Sequence, residues 1–159
     1  MPNSSLPQTL GKILAEDRDR RAIAAHIAEE IRNYGNYRWG GVYDVDLARG
    51  RVSNFAWTGP NSPAYPVFRL TKGLTSRAIA ERRTINVGDV AGDPDYLTAL
   101  DSTRSEIIIP VFRDSTCSEV IGTIDVESDR VDAFDSATQE LLERCAGQLA
   151  EFWRRAYPK

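Results

Sequence analysis

Two hydrophobic periods alternate along the chain, one typical of helices and one typical of strands. Near the N-terminus the apolar residues recur at helical spacing, which predicts one helix from Leu10 to Tyr34. Gly35 and Asn36 end this helix. Near the C-terminus a second apolar stripe follows Asp135, a residue type that caps helices well. Two helices are therefore expected to frame the chain.

Between these helices the apolar positions follow the two-residue period of strands. The predicted strands are Tyr37–Val45, Arg51–Trp57, Val67–Leu70, Ser105–Phe112 and Glu119–Glu127. A short amphipathic helix is expected from Leu74 to Arg82, and a loop at Gly59–Pro63. Residues Val87–Ser102 show little periodicity, which predicts a long loop of functional importance with one helical turn at most. The order predicts an α+β fold with an antiparallel sheet, the terminal helices on one side and the short helix with loops on the other.

Length and composition narrow the possible functions. A chain of 159 residues with 42% hydrophobic content fits one soluble domain over residues 1–159, with residues 1–9 flexible. The longest apolar run, Ile107–Phe112, is too short to cross a membrane, and Met1–Gln8 lacks the pattern of a signal peptide. We therefore expect a cytoplasmic protein with no membrane partner.

The net charge and the small number of Cys and His residues exclude further classes of function. A formal charge of −3 argues against nucleic acid as a partner. The two cysteines, Cys117 and Cys145, offer no disulfide framework, and with the lone His26 they do not make a metal site. We expect neither a metal nor a cofactor.

Strand parity gathers three acidic residues on one face of the sheet. In the strand Glu119–Glu127, the residues Asp125 and Glu127 share a face with Ile121 and Thr123, opposite to Val120, Gly122, Ile124 and Val126. Glu106 lies on the same face of the partner strand, and a hairpin symmetric about the loop 113–118 puts it directly opposite Asp125. Like charges at such positions are destabilising, so something must offset them.

The first predicted strand suggests which group offsets the repulsion between the acids. Trp39, Gly41 and Tyr43 point the same way, so two aromatic rings flank a glycine that leaves room. Carboxylates beside aromatic faces suit an ammonium-type group. The alternatives are acids exposed at strand ends, aromatics that are ordinary core residues, and an internal ion pair with Arg69 or Arg104.

Three segments resemble the GAF domain family. They are Tyr37–Tyr43 (YRWGGVY), Arg104–Val111 (RSEIIIPV) and Val120–Ser128 (VIGTIDVES). The subgroup that they resemble most is the free methionine-(R)-sulfoxide reductases, and the resemblance runs from the first helix to the last. It implies that Trp39 and Tyr43 wall a substrate pocket and that Glu106, Asp125 and Glu127 bind the polar end of the substrate. Glu127 stands where the family usually has Asp.

The resemblance breaks at the redox residues. Family members reduce sulfoxide with cysteines near the short helix and in the loop ahead of the Ser-Glu-Ile strand. Here the approximate counterparts are Thr75 and Ala99, neither of which acts as a redox nucleophile. Cys145 falls on the apolar stripe of the last helix, and Cys117 lies in the hairpin loop away from the acids. No catalytic residue is therefore predicted.

Three functional hypotheses follow. The first is a non-catalytic sensor domain that binds a small molecule with an amine or amino-acid-like group, forms a homodimer through its terminal helices and acts on a signalling protein. The second is an enzyme, a degenerate sulfoxide reductase or one that uses the carboxylates as general acid and base. The third is an interaction domain with a collapsed pocket, which an apolar patch on the two long helices would favour. Whether the protein is an enzyme stays open, with binding favoured.

Overall fold

The computed structural model of the protein describes residues 5–71, 73–97 and 102–156. The elements within these ranges are, in chain order, α1 (Leu6–Leu14), α2 (Arg20–Tyr34), β1 (Trp39–Asp46), β2 (Arg51–Thr58), β3 (Val67–Arg69), α3 (Leu74–Glu81), β4 (Ile85–Val87), a 3₁₀ turn (Val90–Gly92), β5 (Ser105–Phe112), β6 (Val120–Ser128) and α4 (Ser136–Ala156).

The N-terminal helical region is two helices, where the apolar spacing predicted one. Ser5 and Gln8 form a capping box at the start of α1, and Asp19 accepts a hydrogen bond from the N–H of Ala22 at the start of α2. The charged stretch 16–21 separates the two apolar stripes. Residues 6–9, expected to belong to a flexible segment, lie in α1, where Leu6 is buried.

The described strands form one antiparallel sheet in the order β3-β2-β1-β6-β5-β4. Its α+β class and its flanking helices agree with the prediction from the sequence. The predicted long loop contains the expected helical turn, a 3₁₀ turn at Val90–Gly92, but its first residue, Val87, belongs to β4, a strand that the periodicity did not reveal. Three residues are too few for a two-residue period to be visible.

The two faces of the sheet carry different cores. One face packs against α2 and α4 through residues such as Val42, Ile109 and Ile124, and α1 packs on these two helices. The other face has smaller apolar clusters, in which α3 packs on β4 and β5 and the rings of Trp39 and Tyr43 pack near Val52. The second face is thinner, and it leaves room for a cavity.

The β5–β6 hairpin is irregular, which corrects its predicted register. Phe112 pairs with Val120 and Val111 pairs with Gly122, so β6 has a bulge at Ile121. As a result Val120 and Ile121 are exchanged relative to the prediction: Ile121 joins the core under the helices, and Val120 joins the opposite face.

None of the helices in the described part of the chain combines the length and the apolar composition that a membrane-spanning segment needs.

The predicted N-cap of α4 is confirmed, since Asp135 Oδ1 accepts a hydrogen bond from the N–H of Thr138 at 2.8 Å.

Candidate functional site

Two aromatic side chains of β1 form one wall of a cavity. Trp39 and Tyr43 are 2% and 5% exposed, and their ring centroids are 6.5 Å apart. The indole of Trp39 lies over Gly41, where a Cβ atom would collide with the ring. Trp39 Nε1 also donates a hydrogen bond to the carbonyl of Asn61 at 3.1 Å, which fixes the ring. Phe68 of β3 extends the wall, with its ring centroid 6.1 Å from that of Tyr43.

The acidic residues come from the neighbouring strands, with a register that differs from the prediction. Glu106 of β5 lies opposite Glu127 of β6, whereas Asp125 lies opposite Ile108 and, on its other side, Gly41. The predicted pairing of Glu106 with Asp125 is therefore wrong by two residues. One residue of the shift comes from a longer hairpin loop and the other from the bulge. A shift of two keeps every side chain on its face, so the three acids still converge.

The acidic residues Glu106, Asp125 and Glu127 are 7%, 7% and 1% exposed. Each contributes an oxygen to a group in which all lie within 4.8 Å of one another, close enough to contact one small cation together. Oxygen donors of this kind suit a metal ion as well as an ammonium group. Within the described ranges no ion pair involves these acids, so neither Arg69 nor Arg104 neutralises them there.

Hydrogen bonds differentiate the three acids. The Thr103 hydroxyl donates to Glu127 Oε1 at 2.9 Å. A hydrogen bond between Glu106 and Asp125 raises the pKa of the first and lowers that of the second. Asp125 Oδ1 has no hydrogen-bond partner in the described structure, although it is buried. A buried acceptor without a donor is costly, so this oxygen is poised to receive one.

Burial raises the pKa of all three carboxyl groups, because removal from water disfavours the charged form. The pKa of Glu106 lies well above its usual range through desolvation and then through the charges of Asp125 and Glu127. The pKa of Asp125 is likewise well above its usual range, through desolvation and the charge of Glu127. Burial raises the pKa of Glu127 to about 7, while the hydrogen bond from Thr103 and the nearby Tyr96 hydroxyl act against the shift.

These groups line a cavity of about 520 Å³, counting the solvent space at its mouth. All five residues predicted from the sequence line it, namely Trp39, Tyr43, Glu106, Asp125 and Glu127. Their binding role stays a prediction.

Several cavity residues were missed by the sequence reasoning: Pro63, Ala64, Tyr65, Phe68, Gly73, Leu74 and Leu97. Phe68 has the strand spacing that would have placed it, but the others come from loops and the start of α3, where no period applies. Thr75, the approximate counterpart of a family cysteine, does line the cavity. Ala99, the other counterpart, lies outside the described residues.

Neither cysteine is among the described residues that line this cavity. Cys117 is exposed in the β5–β6 loop, and Cys145 is buried in α4. Burial raises the pKa of the Cys145 thiol to about 11, so this thiol is protonated at neutral pH and is not a nucleophile.

Comparison with known proteins agrees with this geometry. The family model described as GAF domain matches residues 19–151, most of the chain. The chain belongs to the GAF domain family.

This GAF domain is similar to a protein named for its GAF domain and to free methionine-R-sulfoxide reductases. It is 28% identical to GAF domain-containing protein A of Dictyostelium discoideum over 86% of this chain and 82% of that protein. It is 27% identical to the free methionine-R-sulfoxide reductase of Saccharomyces cerevisiae, over 68% of this chain and 58% of that protein. It also resembles the X-ray structure of free methionine-R-sulfoxide reductase from Neisseria meningitidis in complex with its substrate. There the TM-score is 0.82 and the identity 28%, over 95% of this chain and 89% of the other.

Proposed function

We propose that this protein is a non-catalytic GAF domain that binds a small molecule through an ammonium group. The observation that carries the proposal is a set of three buried carboxyl groups with no cationic partner in the described structure, at a cavity walled by Trp39, Tyr43 and Phe68. Carboxylates satisfy the charge and the N–H donors of an ammonium group, and aromatic faces attract its positive charge. A metal ion would use the carboxylates but gain little from the rings.

The start of α3 supports an amino-acid-like ligand. Gly73, Leu74 and Thr75 line the same cavity as the acids, and no side chain caps this end of the helix. The first N–H groups of a helix lack intrahelical partners and favour negative charge. A ligand with an ammonium group at the acids and a carboxylate near α3 would satisfy both. One structural relative was solved with its substrate bound and is a free methionine-R-sulfoxide reductase, which supports amino acids as the first class to test.

The absence of catalysis is part of the proposal. Sulfoxide reduction needs a thiolate to attack sulfur and a second thiol to release it as a disulfide. Thr75 occupies the cavity wall with a hydroxyl, and Cys117 and Cys145 lie away from it. The domain would hold its ligand without turning it over.

Ligand titration followed by thermal unfolding tests binding. Methionine sulfoxide, methionine, other free amino acids and small amines are the probes. A ligand present at a hundredfold excess over its Kd stabilises the folded state by about 2.7 kcal/mol. We expect a shift of the midpoint for at least one amine in the wild type and none in Glu106→Ala. No shift with any probe in the wild type would refute the ammonium ligand.

Turnover is measured separately. Methionine sulfoxide is incubated with the protein and dithiothreitol, and free methionine is quantified. We expect no methionine above the rate without protein. If methionine forms and its formation depends on Cys117 or on Thr75, the protein is a reductase with different chemistry and not a non-catalytic sensor.

The proposal also includes a cytoplasmic location, a homodimer and a signalling protein that receives the ligand state. Among the described residues, Tyr34 is the only exposed large apolar side chain on α2 or α4. The apolar patch that would favour a pure interaction domain is therefore not seen there.

A dimer through these helices would rest on polar contacts and weaken with salt. Light scattering after gel filtration at low and high salt measures this.

A further inference from the structure

The segment 93–97 lies against both the cavity and α3. Leu97 lines the cavity beside Gly73. Tyr96 packs against the apolar cluster formed by α3, β4 and β5. The Tyr96 hydroxyl is also close enough to Glu127 to lower the pKa of that carboxyl group. One short segment therefore supplies part of the cavity wall and a contact to the acids.

Arg77 of α3 fastens this segment by two ion pairs. Its Nη2 lies 3.2 Å from Asp93 Oδ2, and its Nη1 lies 3.0 Å from Asp95 Oδ2. The side chains of Arg77 and Asp93 are only 29% and 13% exposed. Asp93 Oδ1 also accepts a hydrogen bond from the N–H of Asp95 at 2.9 Å, which fixes the turn that Arg77 holds. A partly buried, forked contact of this kind is stronger than a single surface pair.

Gly73 allows the segment to sit close to the start of α3. Its φ of +98° is a conformation that other residues rarely adopt. A Cβ atom at this position would lie 2.9 Å from Leu97 Cδ1. The close contact at Leu97 and the ion pairs of Arg77 are separate features that hold the segment in the same place.

We propose that Arg77 is a positioning residue that holds the segment 93–97 against the cavity and thereby retains the ligand. The inference rests on the proposed function for its ligand, but the position of the segment does not. When the closed arrangement is only partly populated, the apparent affinity falls by the fraction that is closed. Loss of the ion pairs therefore weakens binding chiefly through faster dissociation.

The test compares Arg77→Gln with Arg83→Gln. Arg83 pairs with Glu81 at 3.0 Å near the end of the same helix, but it is 61% exposed and does not line this cavity. The first readout is amide hydrogen exchange without ligand. We expect the amides of Asp95 and Tyr96 to exchange faster in Arg77→Gln and at the wild-type rate in Arg83→Gln. Asp95→Asn removes one of the two ion pairs and should give a smaller increase in the exchange rate. This second variant keeps the test decisive if Arg77→Gln does not fold.

The second readout is the dissociation rate of whichever amine, methionine or butylamine, stabilises the wild type. We expect an increase of about three- to tenfold in Arg77→Gln, as for loss of a modest ion-pair contribution. Unchanged exchange at 95 and 96 overturns the positioning role. Faster exchange with unchanged dissociation overturns the retention role. If the wild type binds none of the amino acids and amines named above, the proposed function fails, and the exchange data still decide whether Arg77 positions the segment.

Discussion

Glu106 of β5 lies directly opposite Glu127 of β6, and both side chains are buried. Like charges at directly opposite positions of a strand pair destabilise a sheet, and burial increases the penalty. Burial, together with the charges of Asp125 and Glu127, raises the pKa of Glu106 well above its usual range, and burial raises the pKa of Glu127 to about 7. The ligand-free protein therefore reduces this penalty by holding protons. A bound cation would replace those protons. The pair therefore makes the site unfavourable without a ligand and receptive to positive charge.

Replacing one member of the pair should stabilise the protein at the expense of binding. Glu106→Gln keeps the shape of the side chain and provides an N–H donor to the neighbouring carboxylates. At pH 8 the variant should be more stable than the wild type by at least about 1 kcal/mol, since a tenfold change in a protonation equilibrium corresponds to about 1.4 kcal/mol. At pH 5 the difference should shrink, because the raised pKa of Glu106 costs stability only to the extent that the unfolded state has lost this proton. Urea denaturation at both pH values measures it.

Glu119→Gln is the matched control. Glu119 flanks the same hairpin but is 47% exposed and pairs with Arg113 at 2.7 Å. Its removal should change stability by less than about 1 kcal/mol and leave ligand binding intact. A Glu106→Gln protein that is less stable than the wild type at pH 8 would show that the acid is compensated by a group other than a ligand.

The stability of the ligand-free protein should depend on pH through Glu127. Its pKa rises from 4.5 to about 7 on folding, so the folded state binds the proton more tightly than the unfolded state. The resulting stabilisation is present below about pH 4.5 and is lost as the pH rises to about 7. We expect the thermal midpoint to fall across this window and Glu127→Gln to flatten the fall. Asp135→Asn should leave this window unchanged, because the pKa of Asp135 is lowered by its cap to Thr138. A midpoint that rises across the window in the wild type would contradict the assignment.

The faces of the sheet could be predicted from the sequence because side-chain parity survives errors in register. Glu106 and Asp125 were predicted as a pair and are not one, yet both lie on the face that holds Trp39 and Tyr43. A shift by two residues leaves each residue on its face, whereas a shift by one would have separated them. At the bulge, β6 has one residue more than the paired part of β5, so the alternation of faces shifts by one residue. The predicted faces of Val120 and Ile121 were wrong for that reason.

Tertiary contacts decided what the sequence could not show. Leu97 lies at the cavity, and Asp93 pairs with Arg77, through packing and an ion pair between segments that have no common period. The break between α1 and α2 instead has a local cause, since Ala15 ends α1, Asp19 caps α2 and the charged stretch 16–21 lies between them. Strand β4 is defined by its pairing with β5 and not by its own three residues.

Amine binding should release protons. The carboxyl groups must ionise to pair with an ammonium group, so a proton held by the ligand-free site leaves when the ligand enters. The affinity should therefore increase as the pH rises from about 6 to about 8, as long as the amine itself stays protonated. Calorimetry in two buffers of different ionisation enthalpy measures the number of protons released. Glu127→Gln should release fewer protons than the wild type, and an affinity that falls with rising pH would exclude this mode of binding.

The position of the Trp39 indole should control affinity through a residue that does not contact the ligand by a side chain. In Gly41→Ala the new Cβ atom meets the six-membered ring of Trp39, which must leave the cavity wall. We expect a loss of stability of about 1–3 kcal/mol from overpacking and at least about a tenfold loss of amine affinity. Gly147→Ala in α4 is the control, because its Cβ atom meets nothing within 4 Å and alanine favours a helix. It should raise stability slightly and leave affinity unchanged. If Gly41→Ala stays folded by circular dichroism and binds as tightly as the wild type, the indole is not part of the binding site.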